Sequence, residues 1–213
     1  MAPATPLHAV PTAPRERART ARREALLETA EQVFAERGFA GATMAEIAAR
    51  GGYSAGNLYN VFESKRALYQ ELLQARGTRL LEEQLAILRS PAPYSETFDH
   101  VIDHLLHFCV QHRAFWVLYV RGVNGQDWSG GPFEGESARL RDELEDESVR
   151  RLARAMADGE LPEDDPVALA TVMLGAFHHH IVRWIQRNGS TEALWESAKG
   201  LRRVLRRGLG AMR

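Results

Sequence analysis

The sequence has little cysteine and no long hydrophobic run. Cys109 is the single cysteine among 213 residues, which excludes an intrachain disulfide and favours a reducing compartment. The longest apolar stretch, VALATVMLGAF at 167–177, is far shorter than the ~20 residues that cross a bilayer. The N-terminal segment is interrupted by prolines and has no apolar centre of a signal peptide. We therefore expect a cytoplasmic protein that makes no contact with a membrane.

Alternating strand patterns and internal repeats are also missing, whereas helical spacing is frequent. A first helix is predicted from about Thr20 to Gly38, because apolar residues recur on one face ahead of a glycine that can end the helix. That face consists of Leu26, Ala30, Val33 and Phe34. Further helices are predicted at about 64–90, 95–111, 113–123, 134–158, 166–187 and 191–208, and the fold class is therefore all-α.

Three N-cap signals divide the segment that follows the first helix. Thr43 and Glu46 fit a capping box, so a short second helix is expected to start at Thr43 and to end at Gly51 and Gly52. Ser54 is expected to cap a third helix, and Ser64 a fourth. Two capped helices joined by a glycine-containing turn are typical of a helix-turn-helix, whose second helix enters the DNA major groove.

The third helix has polar residues on the side that faces away from the core. Ala55, Leu58 and Phe62 fall on one side, while Gly56, Asn57 and Asn60 fall on the other. Glycine and asparagine are poor helix formers, so stability alone does not explain them. Glycine allows a close approach to a flat partner, and asparagine amides can pair with the N6 and N7 edge of adenine. We therefore predict that this face contacts DNA.

Residues 22–72 resemble the N-terminal DNA-binding domain of TetR-type transcriptional regulators. The resemblance lies in a first helix ending in F-x-x-x-G-F, then T-x-x-x-I-A, then G-x-S-x-G-x-L-Y-x-x-F-x-S-K-x-x-L, all at fixed spacings over about fifty residues. It implies a homodimeric repressor that a small molecule releases from its operator. Three segments follow: a disordered, basic-ended tail at 1–19, the helix-turn-helix domain at 20–65, and a helical domain for effector binding and dimerisation at 66–213.

The resemblance also implies the residues that contact DNA. Phosphate contacts are assigned by motif position to Thr43, Tyr59 and Lys65. Base edges or the nearby backbone are expected to meet Ala55, Gly56, Asn57, Asn60 and Val61. The sequence departs from the family pattern at Tyr53, where a smaller aliphatic residue is usual, and at Asn60-Val61, which replace an aromatic or histidine pair. The second departure leaves the operator sequence open.

Some of the residues assigned to DNA contacts also have simpler structural interpretations. Tyr59 fits a half-buried core aromatic, and Lys65 fits a solvated cation at a helix start. Residues 15–23 contain five arginines and one glutamate, which suits either a DNA-contacting arm or a solvated start of the first helix.

The helices after residue 90 are expected to supply a pocket and a dimer surface. An apolar or aromatic effector is the default expectation, because small-molecule pockets are mostly apolar. Candidate lining residues are Phe115, Trp116, Tyr119, Met173, Phe177 and His178. In the resembled family the last two helices pack against the partner subunit. Here the candidate surface is Leu174, Ile181, Trp184, Leu194, Leu201 and Leu205, for which a place in the chain's own core is the alternative.

Seven of the eight histidines lie between residues 100 and 180, which suggests a metal hypothesis. His100, His104 and His107 share a helical stripe, and 178–180 are consecutive histidines. A metal-responsive regulator, or a histidine-based metal hydrolase, is therefore an alternative. No spacing closes a four-ligand set and no nucleophile motif is present, so we expect no catalytic residues, no metal site and no cofactor. A DNA-binding architectural or activating factor without an effector is the third alternative.

Overall fold

A computed structural model of the chain describes residues 14–123, 135–208 and 210. Within these ranges the chain forms nine helices and no strand, which confirms the all-α prediction. The helices are α1 (Pro14–Gly41), α2 (Met44–Arg50), α3 (Ala55–Tyr59), α4 (Lys65–Leu88), α5 (Tyr94–Gln111), α6 (Arg113–Val123), α7 (Glu136–Ala157), α8 (Pro166–Gln186) and α9 (Thr191–Gly208). The expected tail at residues 1–13 and the expected loop at 124–132 lie outside the described residues.

The first helix starts earlier than its apolar pattern suggests. α1 begins at Pro14 rather than near Thr20. Proline is favoured in the first turn because its missing N–H needs no partner there, and Glu16 adds a carboxylate near the positive end of the helix dipole. Residues 14–19 are therefore helical and exposed. Gly38 interrupts α1 as expected, with φ 70° and ψ 172°, before a last turn that reaches Gly41.

The structure divides into two compact units between Tyr69 and Gln70. In the first unit α1 packs on α2, and α2 packs on α3. Its core includes the expected apolar face of α1, all of it fully buried: Leu26, Ala30, Val33 and Phe34. Phe34 meets the ring of Tyr69 edge to face at 4.9 Å, and Leu58 is the buried side chain of α3. Leu58 is thus the side chain through which the short α3 enters this core.

The second unit is a bundle of longer helices. α8 packs against α6, α7 and α9, and α5 packs against the same three helices. Every helix from α4 onward begins and ends within two residues of its predicted bounds. At the start of α8, Asp165 accepts hydrogen bonds from the amides of Val167 and Ala168, and Pro166 occupies the first turn. In the described ranges no helix is both long and apolar enough to cross a membrane.

Candidate functional site

The two short helices of the first unit begin at the predicted N-caps. The Thr43 hydroxyl accepts from the Glu46 amide at 3.1 Å, and the Ser54 hydroxyl accepts from the Asn57 amide at 3.2 Å. The second half of the expected capping box is replaced, since the Glu46 carboxylate accepts from Arg50 at 3.0 Å and from Arg37 at 3.4 Å. A guanidinium is a stronger partner for a carboxylate than a backbone amide is. Thr43 itself is exposed.

A tight glycine turn joins α2 to α3. Gly51 is the C-cap, and Gly52 follows with φ 76°, a left-handed conformation that favours glycine. The Tyr53 amide donates to the Ala48 carbonyl at 2.8 Å and the Gly52 amide to the Ala49 carbonyl at 3.2 Å. These two bonds define a Schellman motif. The direction of α3 relative to α2 is therefore set by hydrogen bonds within the turn.

The outer face of α3 is open to solvent. Gly56, Asn57 and Asn60 are exposed, and Tyr59 has 54% of its surface exposed. Tyr59 is therefore not a core aromatic. α3 ends at Tyr59, so Asn60 is its C-cap and the half-buried Val61 follows it, although the sequence pattern carried the apolar face as far as Phe62. The half-buried Ala55 lies in the first turn.

Gly56 occupies a position where the described chain does not need glycine. A Cβ atom placed on this residue would meet nothing within 4 Å, and its φ lies outside the left-handed region. A larger residue would therefore fit in the protein alone. The absence of a side chain leaves the α3 backbone accessible from outside, as a close approach to a flat surface requires.

Lys65 has a structural role that the sequence does not reveal. Its Nζ donates to the carbonyl oxygens of Phe39 at 2.6 Å, Ala40 at 3.3 Å and Ala42 at 2.9 Å, and it lies 4.7 Å from the centre of the Phe39 ring. The ammonium thus binds the carbonyls at the end of α1, where helix carbonyls lack helical partners. A phosphate contact would have to replace one of these bonds, so that role stays a prediction.

A polar groove of about 540 Å³ runs beside α3, on the side that α1 faces. We call it the α1–α3 groove. It is lined by Arg19, Thr20, Arg22, Arg23, Asn57, Asn60 and Val61. Arg19 and Arg22 are exposed, and both belong to the arginine-rich run in the sequence. Guanidinium groups bind phosphate oxygens and amide groups pair with base edges, so the groove chemically suits a nucleic acid strand.

The second unit contains a mostly apolar cavity of about 300 Å³ between α4, α5, α6, α7 and α8. Four of the six expected lining residues line it: Trp116, Tyr119, Phe177 and His178. Met173 and Phe177 line a small neighbouring cavity of about 50 Å³. Phe115 lines neither of the two, because its ring is fully buried among the aromatic rings of Phe108 and Trp116.

The sequence-based selection missed the contributions of α4 and α7 to this cavity. Gln84 of α4 and Leu144 of α7 line both cavities, and Arg141 and Glu145 of α7 line the larger one. α7 has a strongly charged sequence in which Leu144 is surrounded by acidic residues, so no aromatic or apolar run marks it. The available signal was the pair of leucines at positions 140 and 144, which are four residues apart and share one face of α7.

One hydrogen-bonded pair lies in the wall of the larger cavity. The Tyr119 hydroxyl and His178 Nε2 are 2.7 Å apart. Burial raises the pKa of Tyr119, against a smaller opposing effect of the Arg141 charge. Partial burial, followed by repulsion from His179, lowers the pKa of His178. Both groups are therefore neutral near pH 7, and the imidazole tautomer sets which of the two donates.

The histidines do not converge on a metal site in the part of the chain that the structure describes. There, no group of three or more His, Cys, Asp or Glu side chains is placed to hold an ion. His104 is held by α4, with Nε2 2.7 Å from a Glu83 carboxylate oxygen and Nδ1 2.9 Å from Gln84 Nε2. His107 is exposed and lies against the Trp195 ring at 4.9 Å. The metal hypothesis gains no support from this geometry.

The proposed dimer residues on α8 and α9 mostly belong to the chain's own core. Four of the six are buried within the second unit: Ile181, Trp184, Leu194 and Leu205. Leu174 and Leu201 are half-buried. Helical spacing identified apolar residues that are indeed buried or half-buried. It could not tell whether they pack within the chain or against a second subunit. Three large apolar side chains on these helices are instead exposed: Val167, Val172 and Val204, at 56%, 60% and 63%.

The geometry of the first unit defines a helix-turn-helix protein. The family model described as "Bacterial regulatory proteins, tetR family" matches residues 26–72, which contain the end of α1, all of α2 and α3, and the start of α4. The HTH-type transcriptional repressor DhaR of Mycobacterium sp. (strain GP1) is 44% identical over 57 residues. That match covers 27% of this chain and 29% of DhaR, so it is confined to less than a third of either protein.

Solved structures extend the likeness to most of the chain. A TetR-like transcriptional regulator from Rhodococcus sp. RHA1 is 26% identical with a TM-score of 0.65, covering 89% of this chain and 96% of its own. FadR from Bacillus subtilis, solved in complex with stearoyl-CoA, shares the fold at 15% identity with a TM-score of 0.66, covering 89% and 99%. Residues 26–72 thus match the TetR-family model, and over most of its length the chain is similar to a TetR-like regulator of known structure.

Proposed function

We propose that the protein is a ligand-responsive transcriptional repressor, which binds a pseudo-palindromic operator as a homodimer and is released by a small molecule. The observation that carries this proposal is the outer face of α3. A capped helix places Gly56, Asn57 and Asn60 in solvent, and nothing in the described chain accounts for the glycine. The match of residues 26–72 to the tetR family model supports DNA binding, and the local likeness to the repressor DhaR supports repression rather than activation.

In this proposal residues 20–65 bind DNA and α3 lies in the major groove. Asn57 and Asn60 contact base edges, and Gly56 lets the backbone approach the groove. Ala55 and Val61 lie beside them against bases or sugar. Thr43 and Tyr59 contact phosphate from the exposed start of α2 and the exposed end of α3. Lys65 contributes a phosphate contact in place of one of its three bonds with the end of α1.

The effector-binding function is assigned to the cavity of the second unit. Its volume, about 300 Å³, is at the lower end of ordinary ligand sites, and its walls are mostly apolar. A small apolar or aromatic effector suits it, with Tyr119 and His178 as neutral polar partners. The FadR structure with stearoyl-CoA shows that a protein of this fold is found with an acyl ligand. Effector binding is expected to change operator affinity by a coupling of ~1–3 kcal/mol.

Dimerisation is assigned to the exposed apolar residues of α8 and α9. A two-fold dimer places its recognition helices about one DNA turn (~34 Å) apart, which is why such proteins bind symmetric sites. Val167, Val172 and Val204 are the large apolar side chains available for such an interface.

Selection of bound DNA from a random duplex pool tests the proposal directly. We expect enrichment of a two-fold symmetric sequence with half-sites about 10 base pairs apart. Asn57→Ala should then relax the preference at one position of each half-site, with little change in affinity for unselected DNA. Failure to enrich any sequence would refute operator binding. An asymmetric consensus sequence would refute binding as a homodimer.

A further inference from the structure

The α1–α3 groove brings arginines of α1 to the edge of the helix that carries the exposed amides. Arg19, Arg22 and Arg23 share this groove with Asn57 and Asn60. The helix-turn-helix motif itself does not assign a function to these arginines, because they precede the residues that the family model matches. Their position therefore needs a separate explanation.

Arg22 is oriented by an aromatic ring from the turn before α3. Its guanidinium carbon lies 4.5 Å from the centre of the Tyr53 ring, and Arg22 itself is exposed. Stacking on a ring face leaves the edge of the guanidinium, with its N–H donors, free to point into solvent. Tyr53 thus limits the directions that the Arg22 side chain can take.

Arg23 is held in a similar way at the other end of α3. Its guanidinium carbon lies 4.6 Å from the centre of the Phe62 ring, and Nη1 donates to the Val61 carbonyl at 3.2 Å. Arg23 is half-buried, so it connects α1 to the residues that follow α3. The two consecutive arginines therefore bracket α3, with Arg22 at its start and Arg23 at its end.

The positive charge of residues 15–23 favours a negatively charged partner. Residues 15–23 contain five arginines against one glutamate, on a helix whose first two turns are exposed. Arginines this close in sequence repel one another, whereas a phosphate backbone neutralises their charge and releases counterions. A DNA strand in the groove would place phosphates at the guanidinium groups while its bases face the asparagines.

We propose that Arg19 and Arg22 bind the phosphate backbone beside the operator half-site, and that Tyr53 is a positioning residue that orients Arg22 for this contact. The proposal rests on the proposed DNA-binding function and adds a second contact surface to it. It also accounts for the presence of a tyrosine at position 53, where the TetR-type pattern usually has a smaller aliphatic residue. An aliphatic side chain offers no face for a guanidinium to stack on.

The test measures operator affinity against salt concentration for the full-length protein and its variants, using the symmetric duplex obtained by selection. Arg22→Ala should reduce the slope of log affinity against log salt by ~0.9 for each lost phosphate contact, hence by ~1.8 for a dimer. Arg19→Ala should do the same. Arg154→Ala removes an exposed arginine from α7 and is the charge-matched control, for which the slope should stay unchanged.

Tyr53 is tested with two substitutions and a double-mutant cycle. Tyr53→Phe keeps the ring and should keep the affinity, whereas Tyr53→Val should lower it roughly two- to fivefold. In the Arg22→Ala background, Tyr53→Val should have no further effect on affinity, because the residue acts through Arg22. Urea unfolding of each variant shows whether the substitution has damaged the fold. If Tyr53 were purely structural, Tyr53→Val would lower affinity in both backgrounds.

The outcomes separate this inference from the proposed function. If the unsubstituted protein binds no DNA, the proposed function fails before any variant is compared. If it binds a symmetric duplex and the slopes of Arg19→Ala and Arg22→Ala equal that of Arg154→Ala, the phosphate contacts are refuted and the repressor proposal stands. Equal loss from Tyr53→Phe and Tyr53→Val would refute the positioning role of the ring.

Discussion

Gly56 lowers the stability of α3 although its surroundings would accommodate a side chain. Glycine within a helix costs roughly 0.5–1 kcal/mol relative to alanine, through the conformational freedom of the unfolded chain. Gly52, by contrast, has a positive φ that a β-carbon would strain. The two glycines thus have different explanations. The backbone conformation of the turn requires Gly52, whereas the proposed close contact with DNA explains Gly56.

Gly56→Ala should therefore raise stability and lower operator affinity together. We expect a gain of roughly 0.5 kcal/mol or more in the free energy of unfolding, measured in urea. We also expect an affinity loss of roughly tenfold, because an added methyl group at a close contact costs ~1–3 kcal/mol. Gly122→Ala in α6 is the matched control, since Gly122 also lies near a helix end and has open space where a Cβ would stand. It should not change DNA binding.

Lys65 combines a fold contact with a proposed DNA contact. Lys65→Met keeps the aliphatic stem and removes three charged hydrogen bonds to the end of α1, so we expect a loss of ~2 kcal/mol or more in unfolding free energy. Lys199→Met is the control, because Lys199 is exposed and pairs with Glu196 of its own helix. The salt slope of operator binding gives the second result: a reduced slope supports the phosphate contact, and an unchanged slope contradicts it.

We expect His178 to make the second unit less stable in acid. Its pKa is lowered in the folded protein by partial burial and by His179, so the folded state binds protons less readily than the unfolded state. The contribution of His178 to the free energy of unfolding is therefore complete above its unfolded pKa of about 6.5, and it is lost as the pH falls below that value. We expect unfolding free energy to decrease below about pH 6.5, and His178→Gln to weaken that dependence. The same decrease in both proteins would contradict this assignment.

At the scale of the helices, caps and turns decide where α2 and α3 begin. α3 has only five residues, which is too short to be stable alone, so it depends on Ser54 at its start and on buried Leu58. Such local signals are visible in a sequence because a cap needs a particular residue type at a particular spacing. Thr43, Ser54 and Ser64 are predicted on that basis, and each accepts the amide bond expected of an N-cap.

Ser54→Ala should remove the cap of α3. The expected cost is ~1 kcal/mol of unfolding free energy, because one amide at the helix start loses its acceptor. Ser54→Asn is the rescue variant, since asparagine caps helices about as well as serine and adds no charge near the proposed DNA surface. Stability should therefore be restored by asparagine and not by alanine. Equal stability of the two variants would show that the cap contributes nothing measurable.

At the scale of the whole chain, the sequence predicts the helices well and their partners less well. Periodicity shows which face of a helix is buried but not what covers it. It therefore left open whether Trp184 and Leu194 belong to a subunit surface or to the core, where the structure places them, and it offered Phe115 as a pocket residue although rings enclose it. Lys65 and Tyr53 show the same limit, because their contacts come from residues 23 positions or more away in the chain.

The oligomeric state is the property of the whole molecule on which the repressor proposal depends most. Val172 is 60% exposed on α8, and a second copy of the chain would cover it in the proposed dimer. Val172→Glu would bury an unpaired carboxylate in that interface, which is strongly unfavourable. We therefore expect this variant to sediment as a monomer of about the chain mass, 23.9 kDa, with its helix content unchanged. Its affinity for the full symmetric operator should fall more than its affinity for a half-site duplex.

Ala86→Glu is the control for that experiment. Ala86 is exposed on α4, so the variant adds the same charge to a helix outside the proposed interface and should stay dimeric. The comparison also separates dimerisation from folding, because a substitution that merely destabilises the second unit would lower the helix content of the Val172 variant. If Val172→Glu remains a dimer that binds the symmetric operator normally, the interface lies elsewhere. The exposed valines of α8 and α9 would then need another explanation, while the DNA-contacting role of α3 would remain.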